Sequence, residues 1–193
     1  MRAGKILSLL LVLLVGVIAC KFTGTGSTKK YTDIHNPGFV YQQDTLYLNR
    51  ELYSGYIYAL HLDGDTALLK RFNNGIEDGI TRIWYPGRLL AEERFYEMGR
   101  KSYIHRGWWP NGRIKFRYEF KEGEFDGTVV EWYETGKLFK RFHYSKGHED
   151  GAQQMWWING IVRANYVIKS SRRYGLLGTK NCVNDADSVF TRL

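Results

Sequence analysis

The chain has 193 residues, 44% apolar and 25% charged, enough for one domain with a real core and hardly enough for two. Its formal charge of +8 comes from 28 Lys plus Arg against 20 Asp plus Glu; the signs are interspersed without a basic run, so anionic partners are drawn but nucleic acid is not specified. Aromatic residues make up 16%, against only 3 Pro and 3 Met, which leans toward sheet.

Residues 1–19 open with Arg2 and Lys5, continue through an apolar run and end in small residues, the layout of a secretory signal peptide. The 14 residues from Ile6 to Ala19 fall short of the ~20 that a spanning helix needs, although an uncleaved anchor is the alternative. Val17-Ile18-Ala19-Cys20 resembles a bacterial lipobox, with Ile18 bulkier than usual. That resemblance implies cleavage before Cys20, an acyl chain on its thiol, and a lipid anchor in the bacterial cell envelope. Lys21, in place of Asp, favours the outer over the inner membrane, by a rule that differs between bacterial groups. Export argues against a nucleic-acid partner. Residues 20–32 are mainly Gly, Ser, Thr and Lys, the composition of a flexible tether.

From 33 to 174 a repeat takes over. Trp84, Trp108, Trp132 and Trp156 stand 24 residues apart, and Gly75, Gly99, Gly123 and Gly147 keep the same period. So do Gly55, Gly79, Gly127, Gly151 and Gly175, with Tyr103 filling the gap. A period of this length means one structural unit copied and stacked. In one unit, 128–133 reads as a strand, 134–137 as a turn, 138–144 as a second strand and 145–147 as another turn. Pro86-Gly87, Asn111-Gly112, Asn159-Gly160 and Asp63-Gly64 mark equivalent turns, and the Asn-Gly and Asp-Gly pairs are read as hairpins with positive φ at both central residues. Ile114, Phe116, Tyr118 and Phe120 alternate with Lys115, Arg117 and Glu119, a period of two. Leu90, Ile114, Leu138 and Val162 form one column; Phe72, Tyr96, Phe120 and Tyr144 form another, predicting apolar and aromatic ladders. The fold expected is all-β. Each repeat's Trp is expected to pack on its neighbour's equivalent, because one repeat cannot bury its own face.

These residues resemble a known family. The runs WYPG (84–87), WWPNG (108–112), WYETG (132–136) and WWING (156–160), completed by Asp78-Gly79, Asp126-Gly127 and Asp150-Gly151, resemble the MORN-repeat variant over about 45–174. The resemblance implies an elongated, twisted antiparallel sheet of consecutive β-hairpins. It brings no catalytic residue set. Some bacterial members carry an antitoxin label, which suits an exported chain poorly, and eukaryotic relatives are regarded as protein- or phospholipid-binding scaffolds.

Trp109 and Trp157 lie one residue out of the Trp column and, in extended chain, on the opposite face. With Arg117, Arg141 and Arg163 they are the candidate ligand contacts. The acids beside the turns recur at one or two per unit, too few for Ca²⁺ loops and suited to Asx turns. The five His show no metal-binding spacing, and His148-Glu149-Asp150 reads as a solvated turn. No catalytic set, metal, cofactor or small-molecule substrate is indicated. Residues 175–193 form a C-terminal tail that caps the last hairpin, and Cys182 within it has no partner thiol in the mature chain once Cys20 is acylated.

The expectation is a lipid-anchored, non-enzymatic envelope protein whose ribbon binds a protein or an anionic glycan. The alternatives are an antitoxin-like or membrane-phospholipid-binding module, and an enzyme or redox protein that uses Cys182.

Overall fold

The computed structural model describes residues 29–178, and among them every regular element is a strand. The chain opens with β1 (Tyr31–Asp33), β2 (Phe39–Gln42), β3 (Thr45–Leu48) and β4 (Glu51–Leu52). The repeats follow as β5 (Gly55–Leu60), β6 (Thr66–Asn73), β7 (Ile76–Glu77), β8 (Gly79–Tyr85), β9 (Leu89–Glu97), β10 (Arg100–Lys101), β11 (Tyr103–Trp108) and β12 (Ile114–Lys121). The last five are β13 (Glu124–Trp132), β14 (Leu138–Ser145), β15 (His148–Trp156), β16 (Val162–Lys169) and β17 (Arg172–Leu176).

One long open sheet runs β1-β5-β6-β8-β9-β11-β12-β13-β14-β15-β16-β17, with β7 and β10 as short extensions on β6 and β9. At the usual ~4.8 Å between strands it is roughly 50 Å across. Its neighbours are antiparallel except β1, which lies parallel to β5. Tyr31 and Thr32, assigned by the sequence to the tether, therefore belong to the sheet. A second sheet, β2-β3-β4, covers the first repeat. Its Leu46 packs with Tyr53, Ile57 and Phe72, all buried, and with Ile34, Phe39 and Leu48 around them.

Two kinds of turn alternate along the ribbon. Asn74-Gly75, Met98-Gly99, Glu122-Gly123 and Lys146-Gly147 have positive φ at both residues, for example 49° and 79° at the first pair. These are two-residue type I′ turns, matched to strand twist. The Asn-Gly turns differ from expectation. At Asn111-Gly112 only the glycine has positive φ (79°), and Gly112 donates its N–H to the Trp109 carbonyl at 2.8 Å. Trp109 in turn donates to the Arg113 carbonyl at 2.8 Å, closing a longer loop. The same closure recurs at Tyr133–Gly136 and Trp157–Gly160, where no proline stands, so this type I turn with a bulged glycine belongs to the repeat, and Pro110 fits it through its fixed negative φ.

A register shift precedes each Trp, between Ile83/Trp84, Gly107/Trp108, Glu131/Trp132 and Met155/Trp156. Beyond it, Trp84 faces Leu90, Trp108 faces Ile114, Trp132 faces Leu138 and Trp156 faces Val162. The four rings are half-buried against the aliphatic column of their own hairpins, and none stacks on another ring, contrary to the expected Trp-on-Trp packing. The aromatic ladder of the other column does form, through residues of the intervening strands. Tyr96 meets His105 at 5.7 Å, His105 meets Phe120 at 4.5 Å, Phe120 meets Phe125 at 4.6 Å and Phe125 meets Tyr144 at 5.2 Å.

Both long margins are stitched from repeat to repeat. On one, the side chains of Tyr85, Trp109 and Tyr133 donate to the carbonyls of Trp108, Trp132 and Trp156 at 3.1, 3.2 and 2.9 Å, and His61 meets the Trp84 carbonyl at 3.0 Å. On the other, Gly75, Gly99, Gly123 and Gly147 donate their N–H groups to the carbonyls of Tyr53, Glu77, Lys101 and Phe125. Between the margins the most buried column is mixed in character: Ile57, Thr81, His105, Val129 and Gln153, none more than 3% exposed. Its polar members are satisfied locally. Gln153 bridges backbone groups of His143 and Asp150, and the His105 Nε2 meets the Phe95 carbonyl at 2.8 Å.

Candidate functional site

Directly opposite residues share a face of a sheet, so the register defines what each face presents. One row crosses the ribbon through Tyr58↔Leu69, Leu69↔Arg82 and Arg82↔Glu93. It continues through Glu93↔Arg106, Arg106↔Arg117, Arg117↔Val130 and Val130↔Arg141. Arg117 and Arg141 are thus brought together, joined by Arg82 and Arg106, which the sequence reading did not single out. The missed signal was periodic: Arg82 and Arg106 are 24 residues apart, as are Arg117 and Arg141.

Two carboxylates partly offset the four guanidinium groups. Glu93 lies 2.9 Å from Arg82 and 3.9 Å from Arg106. Glu119 lies 2.5 Å from Arg117 and accepts the Thr128 N–H at 2.8 Å. Burial pushes the Glu119 carboxyl up, but the Thr128 N–H and the Arg117 guanidinium outweigh it and hold the group below its usual range. Arg141 is exposed and has no ion pair among the described residues, while Val130 beside it is buried at 7%. Like charges face each other directly at Arg106 and Arg117, an arrangement that costs stability in a sheet.

The other sequence candidates sit elsewhere, at the margin of longer turns. Trp109 gives its indole N–H to the Trp132 carbonyl, and Lys115 covers its ring at 4.6 Å. Arg163 covers the Trp157 ring at 4.4 Å. Each basic residue is the extra residue of its hairpin's bulge, six positions after the ring it covers. Tyr133 and Phe139 repeat the pairing with a ring contact of 5.1 Å. Arg163 therefore stands apart from the arginine row. Cys20 and Cys182 lie outside the described residues.

Two clefts flank the first repeat. One, of about 580 Å³, lies between the small sheet and the ribbon and is lined by Tyr41, Lys70, Phe72, Ile76, Glu77 and Met98. The other, of about 550 Å³, is lined by Tyr31, Tyr58, Leu69 and Trp84, with Asp65 and Arg88 at its side. Tyr58 and Leu69 make it the start of the arginine row. Among the described residues no three His, Cys, Asp or Glu side chains are grouped to hold a metal ion. No helix among them is long and apolar enough to cross a membrane. Compared with known proteins, the chain matches no family model and no curated sequence.

Proposed function

We propose that the chain is a non-enzymatic binding module, held on the bacterial envelope by an acylated Cys20, whose arginine row engages an extended anionic partner. The observation that carries this reading is the direct opposition of Arg106 and Arg117, flanked by Arg82 and Arg141 in the same row. Glu93 and Glu119 each engage one of these arginines from the side, and an anion laid across the row would add attraction to the remaining positive charge. Arg82, Arg106, Arg117 and Arg141 stand two, one and two strands apart along one line, which suits a chain-like partner better than a point ion. The lipobox-like stretch supports the anchor, and the MORN-like repeat supports a scaffold role without chemistry of its own.

The test is titration of the full chain with two extended polyanions, oligogalacturonate and polyglutamate, at several salt concentrations. Arg106→Gln with Arg117→Gln should weaken binding at least about tenfold, while the charge-matched pair Lys137→Gln and Lys146→Gln, on exposed turns, should change it little. Equal losses in the two double variants would mean that net charge alone is at work. Cys20→Ala should release the protein from the membrane fraction or leave it unprocessed; unchanged acylation removes the anchor.

A further inference from the structure

The cleft at the head of the arginine row is built differently from the row itself. Parallel pairing of β1 with β5 sets Tyr31 opposite Tyr56, and their rings stack at 5.0 Å and 19°. Tyr31 remains 54% exposed, so its ring is presented to solvent beside Tyr58 and Trp84. Leu69 adds a further apolar wall. At the side stands a polar couple, Arg88 Nε to Asp65 Oδ1 at 2.8 Å, whose guanidinium is 82% exposed and whose carboxylate is 24% exposed. The volume of about 550 Å³ lies within the ~300–1,000 Å³ of small-ligand sites.

Aromatic side chains that line one cleft beside a strong donor and a strong acceptor match a particular ligand chemistry. A pyranose ring offers apolar C–H faces to the negative faces of aromatic rings. Around its rim are hydroxyls that both donate and accept, as Asp65 and Arg88 require. An acidic peptide would satisfy the guanidinium groups equally well but offers no such ring faces at regular intervals. From Tyr58 the row continues strand by strand through Leu69, Arg82 and Glu93 to Arg106, four steps or about 19 Å at the usual spacing. That distance is the scale of an oligosaccharide. We infer that the Tyr31–Tyr58–Trp84 cleft is a sugar-stacking subsite, and that the anion laid along the arginine row is an acidic polysaccharide. The acidic half of this inference rests on the arginine-row reading; the cleft adds the sugar.

Calorimetric titration of the full chain separates the two. The probes are oligogalacturonate, neutral cellohexaose and polyglutamate matched in charge to the first. Tyr31→Ala and Arg88→Gln are each expected to weaken oligogalacturonate about tenfold and to leave polyglutamate unchanged. Cellohexaose should bind weakly and lose its heat in both variants. Should Tyr31→Ala disturb β1, seen as a loss of strand signal, the solvent-facing Arg88→Gln carries the comparison. The inference is overturned if oligogalacturonate does not bind, if both cleft variants bind it like the parent, or if polyglutamate shifts equally. Those last two results leave the arginine row standing, since it fails when Arg106→Gln with Arg117→Gln alters neither polyanion or loses no more than Lys137→Gln with Lys146→Gln.

Discussion

His105 shares its column with Ile57, Thr81, Val129 and Gln153, a position set by packing rather than by chemistry. Burial, reinforced by the nearby Arg94 and Lys101 charges, lowers its basicity, against the opposing bonds to Phe95 and Ser102. A histidine whose folded value lies below its unfolded one of about 6.5 binds protons more readily when unfolded. Its contribution to stability is therefore complete above about pH 6.5 and declines as pH falls from there toward the folded value. His105→Gln, which copies the residue at Gln153, should flatten the change of Tm between pH 7 and pH 5; identical slopes in the two proteins would exclude His105 as the cause. The five histidines had suggested no metal spacing in the sequence, and the buried column was hidden there because two of its members are apolar and three polar.

Tyr103 poses the opposite problem. Its equivalents Gly55, Gly79, Gly127, Gly151 and Gly175 all have positive φ, and Tyr103 itself is held at 60°. Its ring sits edge-on to Phe95 at 4.8 Å and its hydroxyl donates to Glu97 at 2.9 Å, contacts that offset the backbone cost. Tyr103→Ala keeps the strained backbone and loses both contacts, whereas Tyr103→Gly relieves the strain. The glycine variant should be more stable than the alanine variant by about 1 kcal/mol in urea unfolding, the reverse of the usual order in a strand. An alanine variant at least as stable as the glycine one would contradict this account.

At the level of the hairpin, strand positions were legible because period-two alternation and the glycine columns point to the same boundaries. Trp packing was not legible, because a 24-residue spacing shows that the indoles are equivalent but not that the bulge turns each toward its own hairpin. Turn type was hidden at Asn111-Gly112 and Asn159-Gly160, where bonds from Trp109 to Arg113 and from Trp157 to Ile161 close a longer loop than the Asn-Gly pair signals. The small sheet was hidden for a related reason: its turns, Gln43-Asp44 and Asn49-Arg50, take positive φ without a glycine to mark them. The stitched margin yields a prediction of its own. Trp109→Phe keeps a ring beneath Lys115 but removes the N–H that reaches Trp132, and should cost about 1 kcal/mol. Trp132→Ala leaves that carbonyl in place and removes a half-buried ring, for about 2 kcal/mol against the ~3–5 of a fully buried one. Urea unfolding distinguishes these values, and a neutral Trp109→Phe would show that the margin bond is dispensable.

Across the whole molecule, each repeat leans only on its neighbours, so length and stability are linked almost additively. Excision of residues 127–150 joins Asp126 to Gly151, recreating the Asp150-Gly151 step and leaving all columns in phase. That variant should remain folded and cooperative, with an m-value reduced in proportion to the surface lost. Excision of one residue fewer moves every later side chain out of phase and should abolish the ordered C-terminal half. Equal behaviour of the two deletions, by circular dichroism and proteolysis, would contradict a ribbon defined by register. The arginine row was half legible in the sequence, since Arg117 and Arg141 could be named from one strand each. Its continuity with Arg82, Arg106 and Tyr58 depends on pairing across strands that no single segment reveals.

The parallel placement of β1 settles where the chain enters the domain. Lys30 accepts the Tyr56 N–H at 2.7 Å, next to Gly55, which puts the entry point at one corner of the sheet, on the side of the two-residue turns. With the anchor proposed at Cys20, that corner would be the point of the ribbon nearest its attachment. The far repeats lie about 50 Å from that corner, across the width of the sheet. Contacts in the proposed row would then be ordered by distance from the attachment, with the cleft tyrosines nearest and Arg141 farthest along it.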